Sequence, residues 1–374
     1  MAKTGSRLLL GTRKGLITLE HEDRRWRVTG HHHPGLSISY AFQDPRAGTL
    51  WACSETGHWG TKLFRSTDNG ATWDQPPGPK YPEGAVVYDT WNAGPDGTPT
   101  KPATLKYLWV MTPGHASRPQ TLFLGTEPGG LFRSEDGGEN WELVPTLWNH
   151  PSREKSWFGG GRDEPGIHSI AVDPHDPDRM LVGISCAGVF ETTNDGESWS
   201  GRNQGLRADF LPDPAAEYGH DPHFMAMCGA DPNVLWQQNH CGIFRTADGG
   251  RQWKDVSQPE GPARFGFPIA ADEQDPNVAW VVPAVSDEKR MAIEGGLCVC
   301  RTDDAGDRWT TFRAGLPQEN CFDIVFRHGL DVAGDRLAFG STTGNVYASS
   351  DRGENWECLG TGFPPVYSVR FARE

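Results

Sequence analysis

Three histidines of this sequence stand where their side chains could meet, and together they could hold a metal ion. His168 and His223 occupy the same position ahead of an Asp-Pro turn in two successive parts of the chain, and His240 lies in the loop after the next strand. Imidazole nitrogens are common ligands of divalent transition metals, and Gln238, Asn239 or a water molecule could complete the coordination. The histidines therefore predict one divalent metal ion. The alternative is that each imidazole is hydrogen-bonded at a buried strand end.

A second set of residues could move protons. Glu217, Tyr218 and His220 lie close together in one segment, and Glu164 ends an insert, 157–164, that contains three consecutive glycines. Carboxylates and imidazoles are the usual general acids and bases of enzymes. We therefore predict Glu164, Glu217 and His220 as catalytic residues, although a salt-bridged surface loop explains the same residues equally well.

Arginine and aromatic residues give a third set, which could bind a substrate. Arg13 follows the first predicted strand and could clamp a carboxylate or pair with a loop aspartate. Trp157 and Arg162 belong to the glycine-rich insert, which could cover a substrate. Trp59, beside His58, could stack on a sugar ring.

These candidates lie between copies of a short repeat. The pattern Ser/Thr-x-Asp-x-Gly-x-x-Trp occurs six times, with Asn for Asp in the third copy, at 66–73, 134–141, 192–199, 246–253, 302–309 and 349–356. The Asp side chain can accept hydrogen bonds from backbone N–H groups of its own turn, the Gly supplies a positive φ, and the Trp covers the hairpin. The repeat therefore predicts a structural hairpin, and its aspartates are not expected to be catalytic.

Each copy closes a unit of four strands, here called A, B, C and D. An Asp-Pro turn joins A to B, a glycine-containing loop joins B to C, and the repeat joins C to D. The seventh unit is split: residues 7–28 supply B, C and D, and residues 365–372 supply A. The sequence thus predicts an all-β, seven-bladed β-propeller that forms one domain over 1–374, with the N- and C-terminal strands paired in one blade to close the ring.

Long insertions indicate which face of the propeller carries a site. The D–A connections are long at 74–105, 142–167 and 200–222, and one B–C loop is long at 285–296. Because strands alternate in direction, these loops share one face, and the repeat hairpins share the other. Long loops in a compact domain are usually functional or disordered. We therefore expect the site on the D–A/B–C face, around the central channel.

The chain resembles the bacterial BNR/Asp-box repeat proteins over its whole length. The resemblance rests on the repeat and on the segments 11–16, 205–212 and 237–242. Proteins of this group are sialidase-like propellers that are often labelled exo-α-sialidase or glycosyl hydrolase. The same boxes occur in sialidases, xyloglucanases, sortilin-type receptors and photosystem II assembly factors, so the resemblance implies a fold more than an activity.

Two activities of that group are not expected. Sialidases carry a Phe/Tyr-Arg-Ile-Pro motif, and the nearest run here, 264–268, has another order. Xyloglucanases of this type use a cleft between two propellers, whereas this chain has sequence for one. Some seven-bladed polysaccharide lyases place histidines and a metal ion at the channel, and this analogy favours a lyase or a different glycoside hydrolase.

Composition excludes other partners. The net charge of −14 argues against nucleic acid and anionic membranes, because both are bound by basic surfaces. The eight cysteines include no Cys-x-x-Cys pair, which is typical of reduced thiols, so we expect a cytoplasmic protein. The sequence predicts a carbohydrate-active enzyme of the glycoside hydrolase or lyase class that binds a small carbohydrate or polar metabolite. The alternative is a non-catalytic propeller that docks a protein partner.

Overall fold

The computed structural model describes residues 6–23 and 25–373. It contains seven antiparallel sheets that are the blades of the propeller, and one two-stranded hairpin outside them. The first two blades use β1 (Arg7–Thr12), β2 (Gly15–Glu22), β3 (Arg25–His32), β4 (Ile38–Gln43), β5 (Leu50–Glu55) and β6 (Thr61–Ser66). The hairpin of β7 (Val86–Tyr88) and β8 (Thr100–Pro102) stands apart from the blades. The next two blades are β9 (Tyr107–Pro113), β10 (Leu122–Glu127), β11 (Leu131–Ser134), β12 (Glu142–Leu143), β13 (Ile167–Val172), β14 (Met180–Ile184), β15 (Gly188–Thr192) and β16 (Ser200–Gly201).

Three further blades and the last strand complete the ring. Their strands are β17 (Pro222–Met227), β18 (Leu235–Asn239), β19 (Gly242–Thr246), β20 (Lys254–Asp255), β21 (Gly266–Ala271), β22 (Ala279–Pro283), β23 (Val299–Thr302), β24 (Thr310–Phe312), β25 (Leu330–Ala333), β26 (Arg336–Gly340), β27 (Asn345–Ser349), β28 (Glu357–Thr361) and β29 (Val366–Phe371). Helical turns occur only in connections of the described chain: α1 (Pro145–Trp148), α2 (Arg153–Ser156) and 3-10 turns at Gly57–Trp59, Thr90–Asn92 and Ile293–Gly295. Across residues 6–23 and 25–373, no helix has the length and apolar character needed to cross a membrane.

The ring closes where the sequence predicts. Strand β29 pairs antiparallel with β1, with Leu10 opposite Val369 and Leu8 opposite Phe371, and β2 and β3 follow outward in the same sheet. All four of these side chains are buried. The seven-bladed fold and its closure by the two terminal strands are therefore confirmed.

The innermost strand of every blade contacts the innermost strand of the next. These contacts run in the order β4, β9, β13, β17, β21, β25 and β29, and return from β29 to β4. The A strands therefore surround the centre of the molecule, and residues at their first positions face the mouth of the central channel.

The repeat hairpins have the hydrogen bonds that the sequence predicts. In the first copy, Asp68 Oδ1 accepts from the Ser66 hydroxyl and from the Thr72 N–H, both at 2.8 Å, and Ser66 Oγ accepts from the Gly70 N–H at 2.8 Å. Gly70 has a φ of 93°, a conformation that favours glycine. In this blade only a bridge between Arg65 and Asp74 replaces the D strand, after which the chain leaves for the 74–105 insertion.

A β-bulge stands at the start of the A strand in six of the blades. At each bulge the ladder to the B strand skips a register, which leaves residues outside the regular pairing. The skipped residues include Ser39, Trp109, His168, His223, Phe267 and Tyr367. The two histidines that the Asp-Pro turns align therefore occupy equivalent bulges, and we call these six residues the bulge ring.

Candidate functional site

The insertions converge on a cavity at one mouth of the channel. Its volume is about 240 Å³, and its lining includes Trp91, Phe158, Phe210 and Arg290, one from each of the four long insertions. The bulge ring supplies Trp109, His223 and Phe267 to the same wall. A larger depression of about 440 Å³ lies between repeat hairpins on the opposite face, and its lining, over the described part of the chain, includes no histidine. The cavity at the channel mouth is therefore the candidate site.

Asp221, His223 and His240 form a compact group in this cavity. Their ligand atoms lie within 4.8 Å of one another. Asp221 Oδ2 is 3.5 Å from His223 Nε2 and 3.6 Å from His240 Nδ1. Asp221 and His223 are buried, whereas His240 is partly exposed to the cavity. Two imidazoles and one carboxylate could serve as three ligands of a divalent metal ion.

Backbone contacts fix the orientation of this group. His223 Nδ1 lies 2.6 Å from the carbonyl oxygen of Gly266, and a carbonyl can only accept, so Nδ1 carries the proton. The Asp221 carboxylate accepts from the Cys186 N–H at 3.2 Å, and the His240 N–H donates to the Asp221 carbonyl at 2.9 Å. The His223 tautomer thus presents Nε2 as an acceptor toward the Asp221 carboxylate.

The three side chains of this group shift one another's pKa values. Burial lowers the pKa of His223, which favours the neutral imidazole. Burial alone would raise the pKa of Asp221, but the contacts from His223 and His240 and the charge of Arg327 hold it well below its usual range. The Asp221 contact raises the pKa of His240. When His223 is neutral, with its proton on Nδ1, its Nε2 and the Asp221 carboxylate are both acceptors, and either a proton on Nε2 or a cation between them would relieve this arrangement.

His168, which the sequence grouped with His223 and His240, lies outside the group. Its Nδ1 is 2.9 Å from Ser169 Oγ, its ring meets the edge of Trp109, and its carbonyl accepts from His328 Nε2 at 2.8 Å. Burial, together with the charge of Arg327, holds the pKa of His168 well below 6.5. The third candidate metal ligand beside His223 and His240 is therefore Asp221, and not His168 as the sequence predicted.

Gln238 and Asn239 also lie outside the group. The Gln238 amide donates to three backbone carbonyls, including Arg264 O at 3.2 Å, and the Asn239 amide donates to Gln237 Oε1 at 2.7 Å. Both side chains are fully buried and hold the backbone around the B–C turn of their blade.

The three predicted proton-transfer residues do not line the cavity. His220 is buried with Nε2 at 2.7 Å from the carbonyl of Ala216. Glu217 is exposed, and Glu164 is buried in an ion pair with Lys101 at 2.5 Å. None of these three side chains is therefore placed to act in the cavity. The carboxylate that lies beside the histidines there is Asp221.

Of the predicted substrate-binding residues, Arg162 lines the cavity. Trp157 is a core residue, because its ring packs on Phe190 and its Nε1–H donates to Ser152 Oγ at 2.9 Å. The prediction that Trp157 stands on a covering loop is therefore wrong. Arg13, His58 and Trp59 are exposed but do not line the cavity.

Sequence reasoning missed the aromatic rim of the cavity. Trp91 is 70 % exposed, donates its Nε1–H to the Gly159 carbonyl at 2.9 Å and meets the edge of Phe158. Phe210 stands between Phe158 and His240, with ring centroids 6.2 and 5.1 Å away. The sequence shows that Trp91 lies in a long insertion, which was the available signal. Trp157 lies in another long insertion, and nothing in the sequence indicates which of the two is exposed.

Comparisons with known proteins find sequence similarity to xyloglucanases. No family model matches it. The oligoxyloglucan-reducing end-specific xyloglucanase of Emericella nidulans is 26% identical over 223 residues, which cover 56% of this chain and 24% of that protein. The xyloglucanase Xgh74A of Acetivibrio thermocellus is 23% identical over 329 residues, which cover 73% and 34%.

The solved structures show the same architecture. The GH74 xyloglucanase from Xanthomonas campestris superposes with a TM-score of 0.62 and 16% identity, over 96% of this chain and 53% of that one. The chain spans about a quarter to a third of the length of the curated relatives it matches. This protein is therefore a seven-bladed propeller with a glycosyl hydrolase-like fold, and parts of its sequence are similar to xyloglucanases.

Proposed function

We propose that the channel mouth holds one divalent metal ion on Asp221, His223 and His240 and acts there on a small carbohydrate. The observation that carries the proposal is the position of His223. Its Nδ1–H is committed to the Gly266 carbonyl, and its Nε2 faces the Asp221 carboxylate at 3.5 Å. A metal ion would stabilise developing negative charge on a substrate oxygen or lower the pKa of a bound water molecule.

The cavity around the group suits a sugar. Trp91 and Phe210 offer partly exposed aromatic faces at its rim, and Asp287 offers a second carboxylate in its wall. Aromatic faces pack on the apolar side of sugar rings, and a carboxylate can accept a proton. The xyloglucanase names of the relatives support the same class of substrate.

Two reaction classes follow from the number of carboxylates. A glycoside hydrolase commonly uses two carboxyl groups on either side of the scissile bond. Among the described residues that line this cavity, Asp221 and Asp287 are the two carboxylates. If Asp221 holds a metal ion, Asp287 is left as a single base, which favours elimination by a lyase. If Asp221 is free, the pair favours hydrolysis.

Metal analysis tests the proposal directly. Purified protein, incubated with Zn²⁺ or Mn²⁺ and passed through a desalting column, should retain about one ion per chain by elemental analysis. His240→Ala should lose the ion, because it removes one of three ligands. His58→Ala, an exposed histidine outside the cavity, is the matched control and should retain it.

Activity should be followed on the same samples. Reducing ends report hydrolysis and ultraviolet absorbance of unsaturated products reports elimination, each on a panel of oligosaccharides. Wild-type protein that retains no metal and turns over no oligosaccharide contradicts the proposal. Turnover that His240→Ala leaves unchanged also contradicts it.

A second candidate function is a docking propeller without catalysis. The observation that favours it is Trp59, which is 78 % exposed on the same face and, among the described residues, has an aromatic contact only with the edge of His58. A protein partner that buries Trp59 would shift the tryptophan fluorescence of the wild type but not of Trp59→Ala, and it would bind metal-free protein as well as loaded protein.

A further inference from the structure

Three arginines gather at the channel mouth beside the Asp221, His223 and His240 group. Arg162, Arg290 and Arg327 line the 240 Å³ cavity and also an adjoining cavity of about 180 Å³ that continues into the channel. Their guanidinium groups come from three separate connections between strands. In a chain of net charge −14, this local concentration of positive charge differs from the general character of the protein.

Aromatic rings hold the arginines in place. The Trp109 ring has Arg162 at 5.4 Å and Arg327 at 5.3 Å from its centroid. The Phe267 ring has Arg327 at 5.7 Å and Arg290 at 5.4 Å. Both rings belong to the bulge ring, so the sheet itself fixes where the guanidinium groups lie. Arg327, between the two rings, is the central member.

The arginines differ in their acidic partners. Arg162 pairs with Glu127, and Arg290 pairs with Asp287 at 2.6 Å. Among the residues that the structure describes, no carboxylate oxygen lies within 4.0 Å of Arg327, and its buried Nε has no hydrogen-bond partner. Burial lowers the pKa of Arg327, partly offset by the charge of Asp221.

An unpaired guanidinium in a cavity wall is suited to bind an anion. Removing a charge from water is unfavourable unless a partner restores its hydrogen bonds, and contacts with aromatic faces restore only part of that energy. The guanidinium fork matches a carboxylate or a phosphate, each of which accepts two parallel hydrogen bonds. The cavity thus offers a site for an oxyanion next to the three candidate metal ligands.

We infer that the ligand of this cavity is an acidic sugar, whose carboxylate or phosphate is bound by Arg327 with Arg162 and Arg290 on either side. That the ligand is a sugar rests on the proposed function. That the ligand is negatively charged rests on the three arginines. It separates this protein from one acting on a neutral glycan, since a neutral chain would leave the Arg327 charge unpaired.

Calorimetric binding of four probes tests the inference. Glucuronate carries a carboxylate, glucose 6-phosphate carries a phosphate, and glucose and a neutral xyloglucan oligosaccharide carry neither. At least one acidic probe should bind with a Kd below about 10 mM and at least tenfold more tightly than both neutral probes. Preference for glucuronate or for glucose 6-phosphate then distinguishes the two sources of the anion.

Variants assign the binding to Arg327. Arg327→Gln should weaken the acidic probe at least tenfold, and Arg327→Lys should weaken it less, because the charge remains while the bidentate fork is lost. Arg251→Gln, an exposed arginine on the repeat-hairpin face, is the matched control and should bind as the wild type does. Thermal unfolding of each variant checks its fold, and rising salt should weaken the wild-type complex.

Metal content separates this inference from the proposed function. Arg327→Gln should keep the metal stoichiometry of the wild type, because Arg327 is not one of the ligands. Acidic-probe binding without any bound metal would overturn the metal site and support the anion site. Equal affinity for neutral and acidic probes, no saturation by any acidic probe, or an Arg327→Gln affinity within twofold of the wild type would overturn the anion site.

Discussion

The two faces of the propeller use aspartate in opposite ways. On the repeat-hairpin face, hydrogen bonds from Thr72 and Ser66 lower the pKa of Asp68 to about 2, and every partner belongs to its own turn. At the channel mouth, Asp221 is buried and its partners His223 and His240 come from a strand and a loop that follow it. The Asp68 carboxylate has its hydrogen-bond donors within its own turn, whereas the Asp221 carboxylate depends on side chains that lie outside its own turn. The repeat hairpins stabilise the fold, and the insertions and bulges supply the residues of the candidate site.

The largest effect expected on the repeat-hairpin face is a loss of stability. Gly138 has a φ of 89°, and an added Cβ would lie 2.4 Å from the Trp51 ring. Gly138→Ala should lower the free energy of unfolding by about 3 kcal/mol, measured by denaturant titration. Gly78→Ala, where a Cβ meets nothing within 4 Å, is the control. Loss of metal in folded Gly138→Ala would show that the two faces are not independent.

Replacing one carboxylate on each face sharpens the comparison. Asp221→Asn should lose most of the bound metal, because a neutral amide is a far weaker ligand than a carboxylate. Asp68→Asn should keep the metal and unfold close to the wild-type midpoint, because Asn194 already fills this role in another hairpin, accepting from the Ser198 N–H at 3.0 Å. Elemental analysis and thermal unfolding give both readouts. A metal-free Asp68→Asn protein would contradict the assignment of chemistry to one face.

The smallest expected effect is a difference in titration between two channel histidines. In metal-free protein, the His240 imidazole should titrate above pH 6.5, because Asp221 raises its pKa, and the His168 imidazole should stay neutral well below pH 6.5. His240 therefore adds stability that is present below its unfolded pKa and lost as pH rises through its folded pKa. His168 adds stability that is lost as pH falls below 6.5. Imidazole NMR signals, assigned with His240→Gln and His168→Gln, measure both midpoints, and coincident midpoints would contradict the different environments.

The fold could be predicted because its information is local. A hairpin such as 66–73 contains its own hydrogen-bond donors, acceptor and positive-φ glycine, so six spaced copies indicate six blades before any long-range contact is known. The pairing of 365–372 with the first strand followed from the one A strand that was missing. Both depend on period and spacing, which the sequence displays directly.

The candidate site could be predicted only to the level of its face and of two histidines in the Asp221, His223 and His240 group. The Asp-Pro alignment put His223 at a strand start, and His240 followed from the same blade. Asp221 rather than His220 reaches the cavity, and His220 forms an isolated bridge with Ala187, in the connection between β14 and β15. Contacts of this kind between separate segments are not visible in the sequence. Likewise, Trp91, which the sequence analysis did not single out, lies at the cavity rim, whereas Trp157 lies in the core, because the conformation of a long insertion is decided by what it packs against.

The bulge ring has a consequence for how such a protein could change over evolutionary time. Its residues stand outside the regular pairing of their sheets, so replacing Tyr367 alters the channel wall with little effect on the ladder. Ser39 is an exception, because its hydroxyl lies 2.7 Å from the Leu108 carbonyl oxygen of the next blade and 3.1 Å from that of Cys53. Chemistry and architecture thus occupy separate positions of the same strand. A propeller of this kind can acquire a new specificity one blade at a time, and its stability does not have to be rebuilt at each step.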